Sequence, residues 1–125
     1  MISVVDSSAW LEYVADGPNA KQFAKPIQNA PNLIVPSITL LEVFKRILQQ
    51  RDENSALKVI AVMRQGRVVD LDSELALSAA KLGADLKLPL ADSIILATVR
   101  RYRAVLWTQD SDFEGLDDVR YFAKR

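Results

Sequence analysis

Asp6, Glu42, Asp92 and Asp110 each adjoin a run of residues that reads as buried, where a folding argument would place apolar or small side chains. Together they have the make-up of a cage for a hard divalent cation. The chain contains no histidine and no cysteine. Ser-His-Asp triads, Cys-His pairs and zinc sites are therefore excluded before any fold is considered. Metal chemistry through oxygen ligands remains, and Mg²⁺ or Mn²⁺ are ions that can do it. A cation held this way lowers the pKa of its water and neutralises charge on a leaving oxygen, which suits phosphodiester hydrolysis without a protein base. Asp6 and Asp92 are expected as direct ligands, Asp110 as one shared through water, and Glu42 as a ligand or as the holder of the attacking water. Ser7, Ser8 and Thr108 read as donors to the carboxylates rather than as nucleophiles, since nothing nearby could deprotonate them.

The elements that must position these acids follow from periodicity and punctuation. Ile2 to Val5 is a short, largely β-branched run that reads as a buried strand ending at Asp6, and a helix follows with Ser7 or Ser8 as its cap. Asn19 to Asn29 carries Phe23 and Ile27 at helical spacing. Leu33 to Val35 reads as a second strand, and Pro36 opens a helix to about Gln50 whose apolar residues include Leu41, Val43 and Leu48. Asp52 or Asn54 caps a helix that ends at Gly66 and includes LKVIAVM, expected as a buried face, with a dimer contact as the alternative. Arg67 to Leu71 is a third strand, and Asp72 or Ser73 caps the helix through Leu86. A further helix spans about Ala91 to Tyr102, Ala104 to Thr108 is a fourth strand, and Val119 to Phe122 is a fifth at an edge. Trp10 and Trp107 read as core.

Strands alternating with helices predict an α/β fold, a three-layer sandwich with a mainly parallel central sheet of four to five strands flanked by helices. In such sheets ligands collect at the carboxyl ends of the strands. Asp6 and Asp110 lie just past two of those ends, Asp92 in the first turn of a helix, and Glu42 about two turns into another, beside its apolar residues. Taken singly, Asp6 reads equally as the cap of the helix that follows, Asp92 as a first-turn dipole residue and Asp110 as a turn former. Unpaired, four carboxylates in one pocket would repel by several kcal/mol at an intermediate effective dielectric.

Length and composition fit one domain over residues 1–125, soluble, with half the residues apolar and a quarter charged. MISVVD has no basic leader and no apolar stretch is long enough to span a bilayer, so a cytoplasmic protein without a membrane partner is expected. Sixteen basic residues balance sixteen acidic ones. No whole-molecule field draws nucleic acid in, and any RNA must be held locally. Lys45 and Arg46, three and four residues after Glu42, are the candidates for its phosphates. Arg100, Arg101 and Arg103 read instead as helix-terminal charges far from the acids.

Four blocks, VVDSSAWLEY, SITLLEVFK, LPLADSIILATV and LWTQDSDFEGL, occur in an order and over a length that resemble the PIN domains, and among them the VapC-type toxins of prokaryotic toxin–antitoxin modules. Each block alone is weak evidence; the ordered set covers essentially the whole chain. The resemblance places Asp6, Glu42, Asp92 and Asp110 at the family's acidic metal positions, Thr108 at an accompanying hydroxyl and Asp112 at a less uniform acidic position. It implies an Mg²⁺- or Mn²⁺-dependent endoribonuclease, a cognate antitoxin and a homodimer. The rival is a non-catalytic PIN-fold module that binds RNA or protein; it would have lost one or more of the four acids, and all four are present. An EF-hand starting at Asp110 fails because its twelfth position is Tyr121, where a bidentate Glu is needed.

Overall fold

The computed structural model describes residues 1–125. Five strands, β1 (Ser3–Val5), β2 (Leu33–Pro36), β3 (Arg67–Val69), β4 (Val105–Thr108) and β5 (Val119–Tyr121), form one sheet in the order β3-β2-β1-β4-β5. Every pairing is parallel. Six helices flank it: α1 (Ser7–Val14), α2 (Ala20–Ile27), α3 (Ser37–Gln50), α4 (Glu53–Met63), α5 (Ser73–Leu86) and α6 (Leu90–Arg101). This is the three-layer α/β arrangement that the alternation of elements predicts.

Alternate residues of the strands feed two separate cores. Val4, Ile34 and Leu106 pack with Leu75 and Ala79 of α5 and with the buried run of α6. Val5, Leu33, Val35 and Trp107 pack with Trp10, Phe23, Val43, Ile47 and Met63 from α1 to α4. Helix α6 is buried on nearly all sides from Ser93 to Val99, which fixes the direction in which its first turn points. Helix α5 presses closely on it at Gly83, where a Cβ would stand 3.2 Å from the Cβ of Ser93.

Local expectations fail in instructive places. Helix α1 is capped by Asp6 itself, whose carboxylate accepts from the Ala9 N–H at 3.0 Å, and not by Ser7 or Ser8. Asp52 and Asp72 cap α4 and α5. Pro26 lies inside the last turn of α2 and is buried there, forfeiting one backbone bond. Leu41 and Leu48, read as part of the apolar stripe of α3, are exposed, because α3 turns only Thr39, Val43 and Ile47 fully inward. In α4, Met63 is fully buried while Leu57 and Val62 face solvent, so LKVIAVM is only partly a core face. Trp10 and Trp107 are core as expected. The short 3₁₀ turn at Ala30–Asn32 has no counterpart in the sequence reading, whereas the one at Ser111–Phe113 is capped by Asp110, the turn former.

Candidate functional site

The strand order makes β1 and β4 the neighbours at which the chain changes direction across the sheet, after β2 and β3 have been laid down on one side. In open parallel sheets a crevice opens at that point, outside the carboxyl ends of the strands. Asp6 follows β1 and Asp110 follows β4 by two residues. The first turn of α6 brings Asp92, and α3 brings Glu42. These four acids line one cavity of about 340 Å³, together with Ser7, Ser8 and Arg46. The convergence expected from element positions is thus present. A larger cavity of about 440 Å³ lies between α5 and α6, but its charged residues, Glu74 and Asp85 with Lys81, Arg100 and Arg101, are of mixed sign and include none of these acids.

Each carboxylate is held differently. Asp6 is 2% exposed, and both its oxygens are engaged. Oδ1 accepts from Ser8 Oγ at 2.9 Å and from the Ala9 N–H, while Oδ2 accepts from Thr108 Oγ1 at 2.6 Å and from Ser8 Oγ at 3.1 Å. Thr108 Oγ1 in turn accepts the Asp110 N–H at 2.9 Å, so its proton is committed to Asp6. Glu42 accepts from Ser7 Oγ at 2.6 Å. Asp110 accepts the Asp112 N–H at 2.9 Å, the bond that opens the 3₁₀ turn. The hydroxyls of Ser7, Ser8 and Thr108 therefore act as donors to carboxylates.

Charge at this site is costly. Burial pushes the Asp6 carboxyl up to about 6 even though Thr108, Ala9 and Ser8 stabilise its anion. Asp92 is half-buried and is pushed up to about 8, first by burial and then by the neighbouring Asp110, with lesser contributions from Asp6 and Asp112. A proton kept on Asp92 and directed at Asp110 would relieve the repulsion. A cation would do the same. Carboxylate oxygens of Asp92, Asp110 and Asp112 all lie within 4.8 Å of one another, within reach of a single ion. Asp112 is exposed and carries the least assignment in the sequence reading, yet it joins this trio, whereas Asp6 and Glu42 border the cavity with hydroxyl partners. The donor set is oxygen only, the chemistry that hard divalent cations such as Mg²⁺, Ca²⁺ and Mn²⁺ select.

The basic candidates separate. Arg46 lines the acid cavity, while Lys45 lines an adjoining groove with Leu41, Glu42 and Gln49. Arg101 pairs at 2.9 Å with Asp72, and Arg100 lies with it at the far end of α6. Sequence reasoning passed over Gln109 and Asn19. Asn19 is fully buried and donates to Gln109 Oε1 at 3.1 Å and to the Ala123 carbonyl at 2.9 Å, while its own N–H is accepted by Glu12. It ties the segment between Thr108 and Asp110 to α1 and to the residues after β5. Contacts across 90 and 104 residues leave no local signal.

The same fold occurs in solved structures. A chain of a toxin–antitoxin complex from Klebsiella pneumoniae superposes with a TM-score of 0.82 at 23% identity, covering 97% of this chain and 98% of that one. VapBC2 from Rickettsia felis, solved bound to a DNA fragment from its promoter, gives 0.75 at 13% identity over 98% of both chains. The sarcin-ricin-loop-cleaving toxin VapC20 from Mycobacterium tuberculosis gives 0.76 at 17% identity, covering 94% of this chain and 98% of that one. No curated protein sequence matches at a significant level. At these identities the structures speak for the fold alone. The PIN domain family model, however, matches residues 3–119. With that span of the sequence matched and the acids gathered at the carboxyl ends of the central strands, the chain belongs to the PIN domain family.

Proposed function

We propose that the chain is an endoribonuclease that uses Mg²⁺ or Mn²⁺ to hydrolyse RNA phosphodiester bonds, and that it acts as the toxin of a toxin–antitoxin pair. The observation that carries this reading is the convergence of Asp6, Glu42, Asp92 and Asp110 on one cavity, with Asp92 pushed up to about 8 by burial and its neighbours. Asp92 and Asp110 would hold the ion, with Asp6, Glu42 and Asp112 completing the acidic set. When bound, the cation lowers the pKa of its water and offsets charge on the leaving oxygen.

The chain's own residues do the positioning. Thr108 and Ser8 keep the Asp6 carboxylate oriented and ionised despite its burial, and Ser7 fixes the Glu42 carboxylate on the opposite wall. Glu42 can accept a hydrogen bond from water in the cavity through its second oxygen. Arg46 borders the same cavity, where its guanidinium suits a phosphate oxygen, and Lys45 extends the basic surface along α3. No histidine is required as base or acid, in keeping with a chain that has none.

The biological class rests on the solved relatives. Those from Klebsiella, Rickettsia felis, Salmonella and Haemophilus are toxin–antitoxin or VapBC assemblies. An antitoxin protein is the partner this supports, and the resemblance adds a homodimer. No helix is long and apolar enough to cross a membrane. Incubation with total RNA in Mg²⁺ or Mn²⁺, with a chelator control and Asp92→Ala, tests the activity. Metal-dependent fragments absent with the variant are expected; identical RNA profiles in metal and chelator would refute it.

A further inference from the structure

Beside the acid cavity, and sharing Asp110 with it, lies a second cavity of about 340 Å³ bounded by Gln109, Asp110, Ser111, Tyr121, Ala123 and Lys124. Tyr121 ends β5 opposite Thr108 in the strand register, so it stands at the same edge of the sheet as Asp6 and Asp110. Its neighbour Phe122 goes to the core, stacked on Trp107 and edge-on to Phe23. Tyr121 is half-buried, and its ring takes part in no aromatic pair or cation–π contact. Gln109 is 8% exposed and has its Oε1 fixed by Asn19, whereas its Nε2 donates to no group in the protein. Lys124 is exposed and forms no ion pair.

An unstacked aromatic ring, an amide donor held at one end and a free cation, all against an acidic cavity, match what a single-stranded nucleotide offers. The base has a π-face and edge acceptors, and the backbone has phosphates. We propose that this cavity is a nucleotide subsite, in which the base next to the scissile phosphate stacks on Tyr121, accepts from Gln109 Nε2, and has its outer phosphate met by Lys124. The proposal rests on the nuclease reading and adds where the strand runs: past Asp110 and over the end of β5. Stacking is tolerant of sequence, so the subsite contributes affinity and register, and Gln109 favours bases that present an acceptor.

The test uses the whole protein and a fluorescein-labelled, randomised octanucleotide RNA, with anisotropy read in Ca²⁺ so that binding is followed whether or not the RNA is cut. Tyr121→Leu should weaken binding roughly tenfold and Tyr121→Phe hardly at all. Lys124→Gln should reduce the slope of log K against log salt by about 0.7, the share of one single-strand phosphate contact. Equal binding by parent and Tyr121→Leu overturns the subsite, even if the parent degrades RNA. If the parent cuts RNA at a mapped position, oligonucleotides abasic at either flanking nucleotide give a second test without altering the protein. One of the two should be cut roughly tenfold more slowly, and on that RNA Tyr121→Leu should match the parent. Uniform cleavage of both abasic RNAs, or an additive loss with Tyr121→Leu, rules the subsite out and leaves the nuclease reading standing. Absence of any metal-dependent cleavage rejects that reading and, with it, the scissile register claimed here.

Discussion

Replacing Asp92 by Asn keeps the shape of the side chain and an N–H that can donate to Asp110, but removes the charge whose cost the site exposes. The carboxyl is displaced upward from 3.8 to about 8. At 1.36 kcal/mol per pH unit this would amount to about 6 kcal/mol in a dry site. Asp92 is only half-buried, so water and salt screen the interaction, and a value of about 2 kcal/mol is appropriate. Because the folded pKa lies above the unfolded one, the folded protein keeps its proton where the unfolded chain has lost it. The parent therefore loses stability as pH rises from about 4 to about 8, and Asp92→Asn escapes that loss. For a chain of 125 residues about 4 °C of melting temperature corresponds to 1 kcal/mol. In chelator at pH 8 the variant should melt about 8 °C above the parent, with the gap closing below about pH 4. In Mn²⁺ the order should narrow or reverse, because the parent gains RT ln(1 + [L]/Kd) with a smaller Kd. Thermal melts at both pH values, with chelator and with Mn²⁺, read all of this. A variant no more stable than the parent at pH 8, or a gain that does not depend on pH, would refute the reasoning.

Asp6→Asn should behave in the opposite way although it too removes a charge: its amide would face the committed donors of Thr108, Ser8 or Ala9, lowering stability by about 1–3 kcal/mol in urea unfolding. Thr108→Val should cost a similar amount, since it strips a donor from Asp6 and an acceptor from the Asp110 N–H, and RNA cleavage should fall with it. Glu42→Gln and Asp110→Asn should abolish cleavage while circular dichroism spectra stay those of the parent. Arg46→Ala should weaken RNA binding and reduce its salt slope by about 0.7, the value for one phosphate. Ca²⁺ should support RNA binding with little turnover, because it tolerates looser geometry than Mg²⁺; comparable rates in Ca²⁺ would count against the assignment.

The strands and the acids were legible for a shared reason. Strands buried on both faces read as continuous β-branched runs, and a carboxylate at the end of such a run stands out against them. Glu42, between Leu41 and Val43, was the clearest of the four. Yet the same position misled about Leu41 itself, which is exposed, because 3.6-residue periodicity fixes a face only to within about one residue. For Asp6 the two readings, cap of the next helix and site carboxylate, turn out not to compete: it caps α1 and walls the cavity at once. Asp112 was underweighted because its place beside Asp92 depends on a 3₁₀ turn. Asn19 and Gln109 were invisible for a different reason: their partners are about a hundred residues away, and no local pattern records such bonds.

The strand order carries a consequence for how the protein comes into being. β1 has β2 on one side and β4 on the other, and Asp6 is locked only when Thr108 arrives from 102 residues further along the chain. On a ribosome, everything up to about residue 104 can emerge and pair β1, β2 and β3 while the crevice still lacks its second wall and Asp110. The growing polypeptide therefore has no complete acidic centre until β4 and Asp110 have emerged. Closing contacts of such sequence separation also makes folding slow compared with a helical protein of this size. The acidic centre is thus assembled by the fold and not by any one stretch of the chain: its parts exist long before they meet, and they meet only when β4 takes its place beside β1.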